Sequence, residues 1–203
     1  MAQQTLNINL DKICAEFGMD LLSLPNRLYI KSCEVIKNSN NKDEFLNLDY
    51  AVNEFEKKLE DFFKDNLIDP LKNLKDKIRK ADDQEEVYNK LKREPPKLPA
   101  KDYETEITKA LGILIEDGPF AYLIWLKSED KEPHRAMLIQ TARILQKLNL
   151  IGNINTEDDL KEEIETSFLN EITSDLTKTL FTKTILEKML IYARYKAKAM
   201  QHE

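Results

Sequence analysis

Apolar side chains recur at intervals of three or four residues along most of this 203-residue chain. This spacing puts them on one face of an α-helix, whereas a half-buried strand needs strict alternation, and no alternating run is long enough to compete. Glycine occurs only four times, and the seven prolines fall mostly between the periodic segments, which argues against a turn-rich β-sandwich or barrel. The sequence therefore predicts an all-α fold, built as a helical bundle.

The clearest periodic segment lies in the N-terminal half. Its apolar residues follow each other at steps of 3, 4, 3, 4 and 3, the pattern of a helix packed along one seam; they are Phe45, Leu48, Val52, Phe55, Leu59 and Phe62. Pro70 then breaks or restarts the helix, and the apolar stripe continues to Leu91. We therefore expect residues 42–93 to form a helical hairpin arm with a solvated, charged outer side.

Two shorter helices are expected before this arm. Residues 10–17 predict a first helix that Gly18 would end in the left-handed conformation that glycine favours. Pro25 is a suitable first-turn residue for a second helix, which would run to the polar loop at residues 39–43.

Three prolines, Pro95, Pro96 and Pro99, predict an extended connector after the arm. The chain is accordingly divided into an N-terminal unit at residues 1–94, the connector at 95–103 and a C-terminal bundle at 104–203.

Helical patterns account for most of the C-terminal bundle. They cover residues 104–116, 120–127, 133–150 and 156–170, and a last helix that begins at Ser174 or Asp175.

Charge is distributed unevenly over this bundle. Residues 101–175 carry 8 basic and 16 acidic side chains, a net charge of −8, whereas residues 176–203 carry 6 basic and 2 acidic side chains, a net charge of +4. The last helix is therefore a cationic element on an acidic body. This distribution suits a local contact with nucleic acid better than non-specific binding by a free-standing protein.

The last helix also has one apolar face, and its basic residues lie elsewhere on the helical wheel. The apolar positions are Leu186, Met189, Leu190, Ala193, Ala197 and Met200. Basic residues of this helix and of the helix at 133–150 predict one phosphate-facing surface; the candidate nucleic-acid-binding residues are Arg135, Arg143, Lys147, Lys188, Arg194 and Lys198. The alternative is a solvated charged face without a partner.

Nothing in the sequence predicts a catalytic, metal or cofactor site. No two glycines are closer than six residues, so a phosphate-cradling loop is absent. Cys14 and Cys33 lack the paired spacing of a zinc site or a disulfide framework. His134 and His202 are the only histidines, and we expect both to be ordinary surface or partly buried residues. The chain is therefore predicted not to be an enzyme and to need no cofactor.

Two further patterns have both a functional and a structural interpretation. Paired carboxylates such as Glu116 and Asp117 suit hydrolysis, but they lie at helix ends or in polar loops, where helix dipoles and water stabilise them. Phe120, Tyr122 and Trp125 suit base stacking, but the apolar residues between them predict a helix buried on nearly every side. In both cases we expect the structural role.

The sequence shows no feature of membrane insertion or export. No charged, apolar leader opens it, and the longest apolar run, residues 120–126, has seven residues, far below the roughly 20 needed to span a bilayer. Unpaired cysteines also favour a reducing compartment. We therefore expect a cytoplasmic protein with no membrane partner.

Two C-terminal segments carry a more specific pattern. Residues 107–135 show a helix, a break at Gly118 and an apolar helix that ends in Lys127, and residues 176–200 end in aromatic, basic and small residues. Together they resemble the small all-helical subunit of Cmr (type III-B) CRISPR RNA-guided effector complexes, which residues 26–37 match more weakly. The arm at 42–93 looks like an insertion relative to this pattern.

This resemblance implies a non-catalytic role in antiviral defence. Subunits of this kind stack beside the backbone subunits and neighbouring copies of themselves, and help to hold the duplex of guide RNA and target RNA, while other subunits cleave. An independent hypothesis is a stand-alone protein–protein adaptor without a nucleic-acid role. Its partner-binding residues would be Phe45, Val52, Leu59 and Phe62 of the arm.

Overall fold

The computed structural model describes residues 9–47, 70–94, 97–129, 131–152 and 158–202. Every regular element in these ranges is helical, which confirms the predicted all-α fold. The α-helices are α1 (Leu10–Asn38), α2 (Lys42–Asn47), α3 (Pro70–Arg79), α4 (Gln84–Arg93), α5 (Ala100–Glu116), α6 (Pro119–Ser128), α7 (Glu132–Lys147), α8 (Asp158–Ser167) and α9 (Leu176–Met200), and a π-helical turn, Phe168–Thr173, follows α8. No helix in these ranges combines the length and hydrophobicity needed to cross a bilayer.

Four helices enclose the main hydrophobic core. α1 packs against α9, α9 against α5, α5 against α7 and α7 against α1, so that the four close a ring. α1 and α5 are diagonally opposite in this ring, as are α7 and α9. Each helix contributes fully buried apolar residues, among them Leu21, Ile107, Leu145 and Leu190. Burying a side chain of this size contributes roughly 1.5–3 kcal/mol, so the ring is a major source of stability.

α1 is one helix of 29 residues, where the sequence predicted two. Gly18 does not end a helix, because it lies inside α1 at the crossing with α9. A Cβ atom here would stand 2.4 Å from the carbonyl oxygen of Met189 and 2.8 Å from Cβ of Tyr192. The predicted boundary was therefore wrong for a steric reason: glycine permits two backbones to approach closely.

Pro25 also lies inside α1 rather than in the first turn of a new helix. Proline removes one backbone hydrogen bond and tends to kink a helix. The residues on both sides are held by burial, with Leu21 and Leu22 in the main core and Ile36 in a second cluster. This packing keeps α1 continuous through the proline.

The second hydrophobic cluster surrounds the C-terminal end of α1. Its buried members are Ile36, Phe45, Leu74, Ile78, Tyr88 and Leu91, which come from α1, α2, α3 and α4. The Tyr88 hydroxyl lies 2.9 Å from Oγ of Ser39, and the Lys92 ammonium donates to the Ser39 carbonyl. α3 and α4 of the predicted arm are therefore packed on α1.

This cluster changes the role of Phe45, which was predicted to bind a partner. Its side chain is fully buried and lies against Tyr88, with 6.1 Å between the ring centroids. Phe45 therefore stabilises the fold and offers no surface to a partner. The other predicted partner-binding residues, Val52, Leu59 and Phe62, lie outside the described residues.

The predicted connector at 95–103 is partly helical and partly buried. α5 begins at Ala100 rather than at residue 104, and Leu98 and Tyr103 belong to the main core. Apolar contacts therefore run across a segment that was predicted to be an extended connector. α1, which the division assigned to the N-terminal unit, also contributes to the core of the C-terminal bundle.

We expect Gly18→Ala to destabilise the protein by about 1–3 kcal/mol, because the added methyl group collides with the backbone of α9. The matched control is Gly112→Ala in α5, where a Cβ atom meets nothing within 4 Å. That change should stabilise the protein by about 0.5–1 kcal/mol, because alanine is the better helix former. Urea denaturation measures both values, and equal effects of the two substitutions would contradict the close contact.

Candidate functional site

Helix α9 is both a core element and the most cationic segment of the bundle. Asp175 caps it, since its carboxylate accepts hydrogen bonds from the backbone N–H groups of Thr177 and Lys178 at 2.8 and 3.2 Å. This confirms one of the two predicted starts. The predicted apolar face is buried at Leu186, Met189, Leu190, Ala193 and Ala197, and half-buried at Met200. Because the core fixes this face, the basic side of α9 points outward.

Lys188, a predicted nucleic-acid-binding residue, is bound by the neighbouring helix α1. Its ammonium donates to the Asp11 carboxylate at 3.0 Å, and the Tyr192 hydroxyl donates to the same carboxylate at 2.8 Å. These hydrogen bonds from Lys188 and Tyr192 hold the pKa of Asp11 below its ordinary value, and the bond to Asp11 raises the pKa of Lys188. Lys188 thus joins α9 to α1.

Arg194 and Lys198 differ from Lys188, because both are exposed and neither side chain has a hydrogen bond or ion pair with a described residue. They are four positions apart, so their side chains emerge side by side on the helix surface. Tyr195 between them is 68% exposed, and Ile191 is also exposed. We call these four residues the α9 outer face.

Arg143, a predicted residue on α7, is held against the fold. Its guanidinium lies 5.4 Å from the ring centroid of Phe17, donates to the side chain of Gln140 at 3.2 Å and stands 4.0 Å from the Asp20 carboxylate. Burial lowers the pKa of Arg143. Its contacts with Phe17 and Asp20 join α7 to α1.

The other two predicted residues on α7 lie near its opposite ends. Arg135 is half-buried near Glu132; burial raises the pKa of Glu132, and the charge of Arg135 partly opposes this. Lys147 is exposed in the last turn.

The structure does not gather the six predicted residues into one surface. α7 and α9 are diagonally opposite in the ring, so their outer sides face away from each other. α1 lies between them and carries the acidic residues Asp11, Glu16 and Asp20. Arg194 and Lys198 stay together on the α9 outer face, while the three predicted residues of α7 lie elsewhere.

A buried histidine joins three helices of the bundle. His134 on α7 is fully buried, with Nε2 3.0 Å from the Glu106 carboxylate of α5. Its ring centroid lies 4.2 Å from that of Trp125 on α6. The ammonium groups of Lys109 and Lys131 stand 2.8 and 3.5 Å from the same carboxylate. His134 therefore has no exposed surface to offer an external substrate, and its contacts with Glu106 and Trp125 link α7 to α5 and α6.

His134 was predicted to be a surface or partly buried residue, and this prediction was wrong, although the sequence carries a signal of its burial. Leu138, Thr141 and Leu145 follow it at the fourth, seventh and eleventh positions, which places all four on one side of α7. Each of these three is buried. The histidine is therefore on the core side of its own helix.

The other candidate residues from the sequence lie in the core or at a helix end. Tyr122 is fully buried, with its hydroxyl 3.0 Å from Oγ1 of Thr141, and Trp125 is half-buried, as core packing predicts. Glu116 and Asp117 are exposed at the end of α5. In the part of the chain that the structure describes, no three His, Cys, Asp or Glu side chains are grouped so that they could hold a metal ion.

No family model, curated protein or solved structure matches this chain. The functional assignment therefore rests on the residues themselves. Among the predicted nucleic-acid-binding residues, Arg194 and Lys198 lie together on the α9 outer face, beside the exposed aromatic ring of Tyr195.

We expect the Glu106 cluster to stabilise the fold in a pH-dependent way. Burial acts to raise the pKa of Glu106, but hydrogen bonds from Lys109 and His134 outweigh it and lower the pKa to about 2, from an ordinary value of 4.5. The folded-state pKa is depressed, so the stabilisation is complete above about pH 4.5 and is lost as the pH falls toward 2. Glu106→Gln should therefore cost about 1–3 kcal/mol at pH 7 and weaken the decline of stability toward pH 2.

Urea denaturation at several pH values between 7 and 2.5 tests this expectation. Glu116→Gln is the control, since Glu116 is exposed at the end of the same helix and has no ion pair with a described residue. If both variants keep the wild-type stability and pH profile, the cluster does not stabilise the fold.

Proposed function

We propose that this chain is a non-catalytic structural subunit of a type III-B (Cmr) CRISPR ribonucleoprotein complex. In this role its α9 outer face contacts the backbone of the duplex between guide RNA and target RNA. The observation that carries the proposal is the placement of Arg194 and Lys198, which are exposed, unpaired with any described residue and one helical turn apart. The resemblance of residues 107–135 and 176–200 supplies the kind of complex.

The chemistry of the α9 outer face suits an RNA backbone. Guanidinium and ammonium groups bind phosphate oxygens through charge-assisted hydrogen bonds. The exposed ring of Tyr195 adds a flat surface that can pack on a ribose or on an unstacked base. Phosphate contacts carry no sequence information, which suits a subunit that must accept many different guide sequences.

The acidic body favours one binding orientation. Residues 101–175, with 8 basic and 16 acidic side chains, repel phosphate, whereas residues 176–203, with 6 basic and 2 acidic side chains, attract it. RNA is therefore directed to α9 and away from the rest of the bundle. A contact through two cations is weak, and several copies side by side along one duplex would supply the affinity that a single copy lacks.

A protein–protein adaptor without a nucleic-acid role is the second candidate. It is favoured by the N-terminal half of α9, where Leu176 and Leu180 are 73% and 56% exposed. Lys183 of the same helix donates to the carbonyl of Ile115 at 2.7 Å, and the Ile115 side chain is 50% exposed. Exposed apolar patches of this kind mark contacts between proteins. Copurification separates the two candidates, because an adaptor brings down protein alone and an effector subunit also brings down a guide RNA of discrete length.

We expect the double substitution Arg194→Glu and Lys198→Glu to weaken retention of target RNA by the assembled complex. Each lost phosphate contact should also reduce the slope of log affinity against log salt by about 1. Lys147→Glu is the control, since Lys147 is also exposed but lies on the diagonally opposite helix α7, and it should leave both quantities unchanged. Filter binding at several salt concentrations gives both values. Wild-type retention and slope in the double variant would remove α9 from the RNA interface.

A further inference from the structure

A groove runs along the second half of α1, on a side of the bundle that the proposed RNA contact does not use. Its volume is about 470 Å³. One wall is formed by positions 26, 29, 30, 33, 34 and 37 of α1, and the other by residues 97, 98 and 100 with Met200 at the end of α9. The groove therefore lies where α1 leaves the main core and enters the second cluster.

The lining of this groove is largely apolar. Ile30 is 51% exposed, although it lies well inside a 29-residue helix. Met200 also lines the groove and is half-buried. Exposed apolar surface inside a concave site is typical of a place where a partner buries its own apolar residues.

The shape of the α1 wall selects a helical partner. Tyr29, Cys33 and Lys37 follow each other at every fourth position, so they form a ridge along about two turns of α1, roughly 12 Å long at 1.5 Å per residue. The backbone groups of an α-helix are already bonded within the helix, so this wall offers no edge to which a strand could be added. A partner must bind through side chains, and a second helix packs best against such a ridge.

Charge selects the chemistry of that partner. Lys37 lies at the end of the α1 wall and Lys97 lies in the opposite wall. Neither ammonium has a hydrogen bond or ion pair with a residue in the described ranges. Glu34 is the acidic residue of the lining, which leaves a net positive charge beside the apolar floor. A partner that carries carboxylates next to its apolar residues complements this lining.

We propose that this groove binds an acidic amphipathic α-helix of another protein. Its apolar residues would pack on Ile30 and Met200, while its carboxylates would pair with Lys37 and Lys97. The proposal is independent of the RNA contact on the α9 outer face.

Photo-crosslinking in cells tests the groove in the full chain. Ile30→p-benzoylphenylalanine places a photoreactive group in the groove, and Ile124→p-benzoylphenylalanine is the matched control, since Ile124 of α6 is 40% exposed and lies outside it. We expect position 30 to crosslink to a segment of a different protein that has acidic and apolar residues at helical spacing, and position 124 not to crosslink to that segment. No crosslink, or a crosslink only to RNA or to a second copy of this chain, would overturn the proposal.

Charge substitutions test the recognition itself. In the presence of Lys37→Glu and Lys97→Glu the crosslink yield should fall about fivefold or more, as expected from the loss of two ion pairs. Lys37→Arg with Lys97→Arg keeps both charges and should keep the crosslink. Arg194→Glu with Lys198→Glu should leave it unchanged, so that failure of the RNA proposal is distinguishable from failure of this one. A yield that does not respond to charge reversal would contradict the acidic partner.

A synthetic peptide with the sequence of the crosslinked segment gives a second measurement. Cys33 lines the groove and Cys14 is buried, so alkylation of the folded chain reports mainly on Cys33. The peptide should slow that alkylation at least severalfold in the wild-type chain and not in the charge-reversed variant. Equal rates with and without the peptide would show that the segment does not occupy the groove.

Discussion

The contact between α1 and α9 at Gly18 is the constraint on which the rest of the structure depends. No side chain can stand there without meeting the backbone of α9 at Met189. The position of α1 on α9 also determines what happens further along α1, because the same helix continues past Pro25 into the second cluster. Two later features depend on this crossing. They are the contacts of Ile36 with α3 and α4 and the position of the groove beside Met200.

Some basic residues of the bundle form ion pairs inside the fold, and others are exposed without a described partner. The net charge of a segment does not distinguish these two kinds. Lys188 and Arg143 pair with acidic residues of α1 and hold α9 and α7 to it. Arg194 and Lys198 make no such contact among the described residues, so their charges remain available to a partner. The acidic side chains of α1 therefore neutralise part of the cationic surface but leave the positive charges on the C-terminal half of α9 exposed.

The sequence predicted what depends on a single helix and missed what depends on how helices are arranged. Periodicity correctly gave the all-α fold and the buried face of α9, because both follow from spacing along the chain. It misread Gly18, because a glycine that ends a helix and a glycine that permits close packing look alike without the partner helix. The alignment of Cys14, Gly18 and Leu22 at every fourth position was the available clue. Similarly, a helical wheel shows that Lys147 and Lys198 point away from their own cores, but not that α7 and α9 are diagonally opposite.

The geometry of α9 would allow the bundle to bind both proposed partners at the same time. Lys198 on the outer face and Met200 in the groove are two positions apart, and each position turns the helix by about 100°. They therefore lie on nearly opposite sides of the same helical turn. An RNA on the α9 outer face and a partner helix in the groove would not compete for space, and each would bear on a helix that α1 and α5 hold firmly from within. If both proposals hold, α9 is a rigid spacer that sets the distance between a protein and an RNA backbone.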